Sequence, residues 1–125
     1  MKPLGPIPPG FAASKGVLAV DGVAVTELVE RAGGTPLFVY SSTVIRDTVA
    51  RLRAAMPAEL ALHYAVKANP YEPIIKLFAQ LVDGFDIASG GELAMLREAG
   101  VDPSLVSFAG PGKRDSELEA AIAAG

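Results

Sequence analysis

The chain has 125 residues, of which 50% are hydrophobic and 20% are charged, so it can form a soluble domain with a core and is not a disordered chain. The formal net charge is −3 and the 11 basic residues are scattered, so we expect no nucleic-acid partner. With no cysteine and one histidine, disulfides, thiolate sites and multi-histidine metal centres are excluded, and we expect no metal.

The first 16 residues contain four prolines and three glycines, which predicts an extended arm with little regular structure. A secretory signal would need an unbroken apolar core at this place, and the prolines and glycines interrupt it. Nowhere does the chain contain the roughly 18 consecutive apolar residues that cross a bilayer. We therefore expect no membrane association and a cytoplasmic location.

A β-hairpin and a short helix are predicted next. Residues 16–25 form two short apolar runs around Asp21-Gly22, a dipeptide typical of two-residue hairpin turns. Thr26 can cap a helix through Arg31, and two glycines at positions 33 and 34 would end it. This segment shows no recognisable catalytic pattern.

The chain then alternates between a strand and a long helix. The composition of residues 36–40 predicts a strand, and two serines at 41 and 42 can cap a helix that runs to about residue 56. Four apolar residues repeat at helical spacing and predict its buried stripe: Ile45, Val49, Leu52 and Met56.

From residue 60 onward the sequence predicts three consecutive βα units. The predicted strands are residues 60–66, 85–88 and 106–109, and the predicted helices begin near Pro73, at Ser89 and near Asp115 or Ser116. Such units imply parallel strands, either as part of a barrel or as a small open three-stranded sheet. The composition does not decide between these two architectures.

Lys67 is the first candidate for chemistry, because α/β folds place their functional groups at the carboxyl ends of parallel strands. Alternation along a strand places His63, Ala65 and Lys67 on one face and directs Tyr64 toward the helices as a packing residue. Partial burial would favour a neutral, nucleophilic amine. The alternatives are a solvated lysine at a turn and, for His63, a hydrogen-bonded core residue.

Two acidic residues are further candidates. In the second predicted strand, alternation turns Asp86 toward the same interior as Lys67, where a carboxylate needs a partner, so a structural salt bridge is the alternative to a functional role. Ser89 and Glu92 have the spacing of a capping box, which gives Glu92 a structural explanation. Residues 110–113, GPGK, lack the rest of a nucleotide-binding loop and predict a tight turn.

The sequences YAVKANP, at residues 64–70, and FDIASGGEL, at residues 85–93, resemble the pyridoxal-phosphate decarboxylases of ornithine, arginine and diaminopimelate. This resemblance runs from about residue 35 to the last residue. It implies the N-terminal part of an alanine-racemase-like TIM (β/α)8 barrel, preceded by a short β segment of a second, β domain. The domains implied are residues 1–40 (arm, hairpin and strand) and residues 41–125 (first helix and three βα units).

The resemblance also implies the site. The lysine at position 67 holds pyridoxal 5'-phosphate as a Schiff base in such enzymes, Asp86 helps to orient that lysine, and Glu92 lies near the active-site end of the barrel. The expected catalytic residues are thus Lys67 and Asp86. The expected cofactor-binding residues are these two together with Glu92.

The implied activity is decarboxylation of diaminopimelate or a basic amino acid by a homodimer. A barrel of this kind takes about 250 residues, so we expect the chain to be an incomplete barrel that is inactive alone. An amino-acid racemase on the same scaffold and a non-catalytic, regulatory homologue that binds the cofactor are the alternatives. The sequences at residues 3–11 and 107–113 resemble most a bacterial subgroup associated with exosortase systems.

Overall fold

The computed structural model describes residues 6–8 and 10–125, with only the backbone of Ser14. The chain divides into two compact units, Met1–Leu52 and Arg53–Gly125. Part of the predicted N-terminal arm lies outside the described residues, and the predicted domain boundary after residue 40 stays a prediction. No helix in the described part of the chain is long and apolar enough to cross a bilayer.

The first unit contains a three-stranded antiparallel sheet of β1 (Ala12–Ser14), β2 (Val17–Val20) and β3 (Val23–Ala24), in that order. The predicted hairpin is confirmed: β2 pairs with β3, and the turn residues Asp21 and Gly22 have φ angles of 48° and 80°. Two consecutive positive φ angles are typical of a type I′ turn, whose twist matches that of the flanking strands.

Strand β1 corrects the prediction of an irregular arm up to residue 16. Residues 12–14 pair with β2 through a second tight turn, at Lys15 and Gly16, whose φ angles are 50° and 76°. The prediction rested on proline and glycine content, but all four prolines precede residue 10. Residues 11–14 are therefore free to donate backbone hydrogen bonds, as a strand requires.

Two helices follow, α1 (Val25–Ala32) and α2 (Ser42–Ala55). The predicted cap at Thr26 is wrong, because Ala24 is the N-cap residue and Thr26 lies inside the first turn. The predicted end of α1 is confirmed: Gly33 adopts a left-handed conformation with φ of 79°.

Residues 36–40 form no strand, contrary to the prediction. Their composition suits a strand, but a strand exists only when a neighbouring strand hydrogen-bonds to it. Among the described residues the structure provides no such neighbour, and the side chain of Phe38 is 82% exposed.

Ser41 caps α2, as predicted. Its Oγ accepts a hydrogen bond of 3.0 Å from the backbone N–H of Val44 and donates one of 2.8 Å to Oδ1 of Asp21. The serine is buried and thus ties the helix start to the hairpin turn. In the predicted apolar stripe Val49 is buried, whereas Leu52 is 44% exposed.

The second unit confirms the three predicted βα units. Its parallel sheet has the order β4-β5-β6. The elements are β4 (His63–Ala65), a 3-10 turn (Val66–Ala68), α3 (Glu72–Phe78), β5 (Gly84–Ile87), α4 (Gly90–Glu98), a 3-10 turn (Pro103–Leu105), β6 (Val106–Phe108) and α5 (Asp115–Ala124). Strands β4 and β6 are shorter than the sequence predicted, and β5 has the predicted length but begins one residue earlier.

The register of the parallel sheet separates two faces. Tyr64, Phe85 and Val106 lie side by side on the face that packs against the apolar core. The buried core residues are Val66, Ile75, Phe85, Ile87, Leu93, Leu96 and Val101. The opposite face carries Ala65, Asp86 and Ser107 in one row, and this second face positions the candidate site.

Gly84, the first residue of β5, lies where no side chain fits. A Cβ atom built there would be 2.4 Å from the carbonyl oxygen of Leu105 and 2.7 Å from Cε1 of His63. Because the nearest atom belongs to the backbone, a larger residue has to displace the chain that leads into β6.

We therefore predict that Gly84→Ala lowers the free energy of unfolding by about 1–3 kcal/mol, the usual cost of overpacking. Gly112→Ala is the matched control, since a Cβ at that position meets no atom within 4 Å. Urea denaturation of both variants measures the difference. Equal stability of the two would contradict the close approach at Gly84.

Candidate functional site

The candidate site lies at the carboxyl edge of the parallel sheet. Three connections leave the sheet at this edge: residues 66–71 after β4, residues 88–89 after β5 and residues 109–114 after β6. Because the strands are parallel, all three connections leave the sheet at the same edge. Lys67 belongs to the first connection, and Asp86 belongs to the open face itself.

The sequence predicted a strand through residue 66 with Lys67 at its carboxyl end, but Lys67 does not continue strand β4. The strand ends at Ala65, and residues 66–68 form a 3-10 turn. Val66 is 0% exposed and belongs to the core cluster, on the side to which alternation from Tyr64 assigns it. Lys67 is exposed, and the expected partial burial of its side chain is wrong.

His63 is also exposed, which corrects the expectation of a core histidine. It stands at the first position of β4, opposite Gly84 on β5. The open face has no covering layer among the described residues of this unit, so a side chain on that face contacts solvent. The prediction had assumed an interior that these residues do not enclose.

The turn that carries Lys67 is fixed on both sides. The hydroxyl of Tyr64 donates a 3.1 Å hydrogen bond to the backbone oxygen of Asn69. The backbone N–H of Asn69 in turn donates to the oxygen of Val66 at 3.1 Å. On its far side, Oδ1 of Asn69 accepts a 3.0 Å hydrogen bond from the N–H of Tyr71.

Asp86 is half-buried on the open face, the face on which alternation placed it. Its Oδ1 accepts a 2.9 Å hydrogen bond from the hydroxyl of Ser107, the neighbouring residue on β6. No ion pair of Asp86 occurs within the described residues, and it makes no direct hydrogen bond to Lys67. The carboxylate of Asp86 is thus held by the hydroxyl of Ser107, and not by the salt bridge that the sequence offered as its structural explanation.

Ser107 is a residue of this face that the sequence reasoning missed. The available signal was the alternation within β6, because Ser107 lies between Val106 and Phe108, whose side chains pack against the core cluster.

Glu92 lies at the start of α4 and has a structural role there. Its backbone N–H donates a 3.2 Å hydrogen bond to Oγ of Ser89, which is one of the two bonds of the predicted capping box. Its carboxylate accepts a 2.7 Å bond from the N–H of Ala88, one residue before the position expected for a capping box. Glu92 therefore holds the chain at the point where β5 passes into the helix.

A second carboxylate, that of Glu117, reaches the same helix start from α5. Its Oε1 accepts a 2.8 Å hydrogen bond from the N–H of Gly90, and its Oε2 accepts a 3.0 Å bond from the N–H of Arg114. These bonds, first that from Gly90 and then that from Arg114, lower the pKa of Glu117 below its ordinary value of 4.5. Glu92 and Glu117 thus occupy the N–H groups of Ala88 and Gly90 at the start of α4, where the helix dipole favours negative charge.

Residues 110–113 lie in the connection before α5 with a bend at Pro111, and no backbone hydrogen bond within the described residues closes the tight turn that the sequence predicted. Gly110 has a φ of 94°, and Nζ of Lys113 donates a 2.6 Å hydrogen bond to its carbonyl oxygen. The same Nζ lies 5.1 Å from the centre of the Phe108 ring. The amine of Lys113 is thus bound within the connection that carries it.

Comparison with known proteins identifies similar sequences. Residues 42–125 match the family described as "Pyridoxal-dependent decarboxylase, pyridoxal binding domain". A diaminopimelate decarboxylase of Aquifex aeolicus is 43% identical over 107 residues, which are 86% of this chain and 25% of that protein. A diaminopimelate decarboxylase of Neisseria meningitidis is 48% identical over 94 residues, 74% of this chain and 23% of that protein.

Solved structures agree in fold. The crystal structure of AQ1208 from Aquifex aeolicus matches with a TM-score of 0.82 and 41% identity, covering 93% of this chain and 29% of that one. Diaminopimelate decarboxylase from M. jannaschii, in complex with L-lysine, matches with a TM-score of 0.82 and 32% identity, at 93% and 28% coverage. The chain thus spans about a quarter of the length of the curated relatives it matches.

The hydrogen bonds of Glu117 predict a pH-dependent stability. Its folded-state pKa is lowered, so its contribution is present above about pH 4.5 and is lost as the pH falls through the folded-state value. We expect Glu117→Gln to be less stable than the wild type at pH 7, and the gap to narrow by pH 3. Urea denaturation at both pH values tests this, with Glu119→Gln, exposed on the same helix, as the control. A gap that is the same at both pH values would contradict this explanation.

Proposed function

The chain belongs to the pyridoxal-dependent decarboxylase family, whose pyridoxal-binding domain it matches over residues 42–125, and from this membership we propose that the complete protein decarboxylates an amino acid. The observation that carries the proposal is the position of Lys67, an exposed amine on a fixed turn at the carboxyl edge of the parallel sheet. The cofactor of the family is pyridoxal 5'-phosphate. Two named relatives are diaminopimelate decarboxylases.

The residues present fit this cofactor. Its aldehyde requires a primary amine, and Lys67 has no hydrogen bond or ion pair within the described part of the chain that would occupy its Nζ. On the open face Ala65 has a small side chain, whereas the imidazole of His63 lies over Gly84 at the start of the strands. Half-buried Asp86 adds a carboxylate to that face.

We assign the following roles. Lys67 binds the cofactor through its amine, and Asp86, held by the hydroxyl of Ser107, helps to orient that amine. Glu92 supports the cofactor site by fixing the start of α4 at the end of β5. When bound, pyridoxal phosphate supplies an electron sink for the carbanion that loss of carbon dioxide leaves.

We further propose that the three βα units are the beginning of a (β/α)8 barrel that follows part of a β domain. Their parallel order and the partial coverage of longer relatives support this proposal. In the complete protein we propose a cytoplasmic homodimer that acts on diaminopimelate or a basic amino acid. The named relatives are decarboxylases, which favours this reaction over racemisation on the same scaffold.

Reductive labelling tests the role of Lys67. Treating the complete protein with pyridoxal phosphate and borohydride should attach the cofactor to the peptide that contains Lys67. Lys67→Ala should lose the long-wavelength absorbance of the bound cofactor and stay folded, because the exposed side chain contributes little to the core. Peptide mass spectrometry identifies the site. Labelling at Lys76 or Lys113 instead would refute the assignment.

Replacement of Asp86 by asparagine tests the second role. Asp86→Asn keeps the shape of the side chain and removes its charge, so we expect turnover to fall by up to about 100-fold, as for other misplaced catalytic groups. Stability should change little, since asparagine can still accept the hydrogen bond from Ser107. Asp115→Asn, an exposed residue of α5, is the control. Unchanged turnover in Asp86→Asn would leave Asp86 with a structural role.

A further inference from the structure

The turn with Lys67 is attached to the core through one aromatic side chain. The ring of Tyr64 stacks on Phe78, with centroids 3.8 Å apart and planes 13° apart. The same ring meets the buried Phe85 edge to face at 6.1 Å. These contacts fix the ring, so its hydroxyl has a defined position.

The hydroxyl of Tyr64 does not end in solvent but bonds to the turn itself. It donates to the backbone oxygen of Asn69 at 3.1 Å, and Asn69 lies two residues beyond Lys67. The residues between Tyr64 and Asn69 thus form a loop that is closed by this hydrogen bond, with Lys67 inside it.

Val66 holds the other side of this loop. It is 0% exposed, and its carbonyl oxygen accepts a 3.1 Å hydrogen bond from the N–H of Asn69. Lys67 itself is exposed, and no hydrogen bond or ion pair within the described residues holds its side chain. The position of its amine therefore depends on the backbone of the turn, and on the two attachments of that backbone.

We propose that Tyr64 is a positioning residue for Lys67. Its aromatic ring belongs to the core, and its hydroxyl transmits the fixed position of that ring to the turn from which the lysine projects. Packing alone would be satisfied by phenylalanine, so the hydroxyl is the part of the side chain that this role requires. The proposal rests on the proposed function, since it assumes that Lys67 binds the cofactor.

Tyr64→Phe in the complete protein tests the proposal, because it removes the hydroxyl and keeps the ring. We expect the dissociation constant of pyridoxal phosphate, titrated by absorbance, to rise about 3- to 10-fold, the effect of one lost hydrogen bond. We also expect the amide hydrogen of Asn69, in the turn, to exchange faster. Unchanged affinity and unchanged exchange would overturn the role of Tyr64.

Two controls separate this proposal from its alternatives. Val106→Ala lowers stability through β6, which β5 separates from β4 and its turn, and we expect the affinity of this variant for the cofactor to stay at the wild-type value. An equal loss of affinity in Val106→Ala would mean that general destabilisation is the cause, and would overturn the proposal. Borohydride labelling of the wild type at Lys67 would support the part of the proposed function on which Tyr64 depends, the attachment of the cofactor to Lys67. Labelling elsewhere refutes that function independently of Tyr64.

Discussion

Burial of Val66 is the constraint on which the candidate site depends. The side chain is fully enclosed by the core of the second unit and anchors the residues that follow strand β4. The strand ends at Ala65, residues 66–68 form a 3-10 turn, and Lys67 is exposed on that turn. A buried apolar residue thus anchors the turn that carries the amine proposed to bind the cofactor.

The two faces of the parallel sheet have different roles. The face with Tyr64 and Phe85 packs into the core, which stabilises the unit, while the face with Asp86 and Ser107 remains open for polar contacts. Because side chains alternate along a strand, neighbouring residues serve opposite purposes. Tyr64 bridges the two, since its ring lies in the core and its hydroxyl reaches the turn at the edge of the sheet.

The connection between β5 and α4 shows how the same edge is stiffened. Glu92 binds the N–H of Ala88, and Glu117 reaches from α5 to the N–H of Gly90. Gly90 permits this approach, since a Cβ there would be 3.2 Å from Cγ of Glu117. The carboxylates lie at a helix start, where the backbone dipoles favour negative charge. Spacing predicted the proximity of Glu92 to Ser89, but not the long-range contact of Glu117.

The sequence by itself determined the periodic elements: the hairpin at Asp21, the three βα units and the place of Lys67 after the first parallel strand. These depend on local patterns of apolar residues and turn residues, which a sequence displays directly. Only the tertiary structure decided that residues 36–40 form no strand, that Lys67 is exposed and that Asp86 bonds to Ser107. Strand pairing, burial and hydrogen bonds between distant residues depend on which elements meet in space, and local sequence patterns do not contain that information.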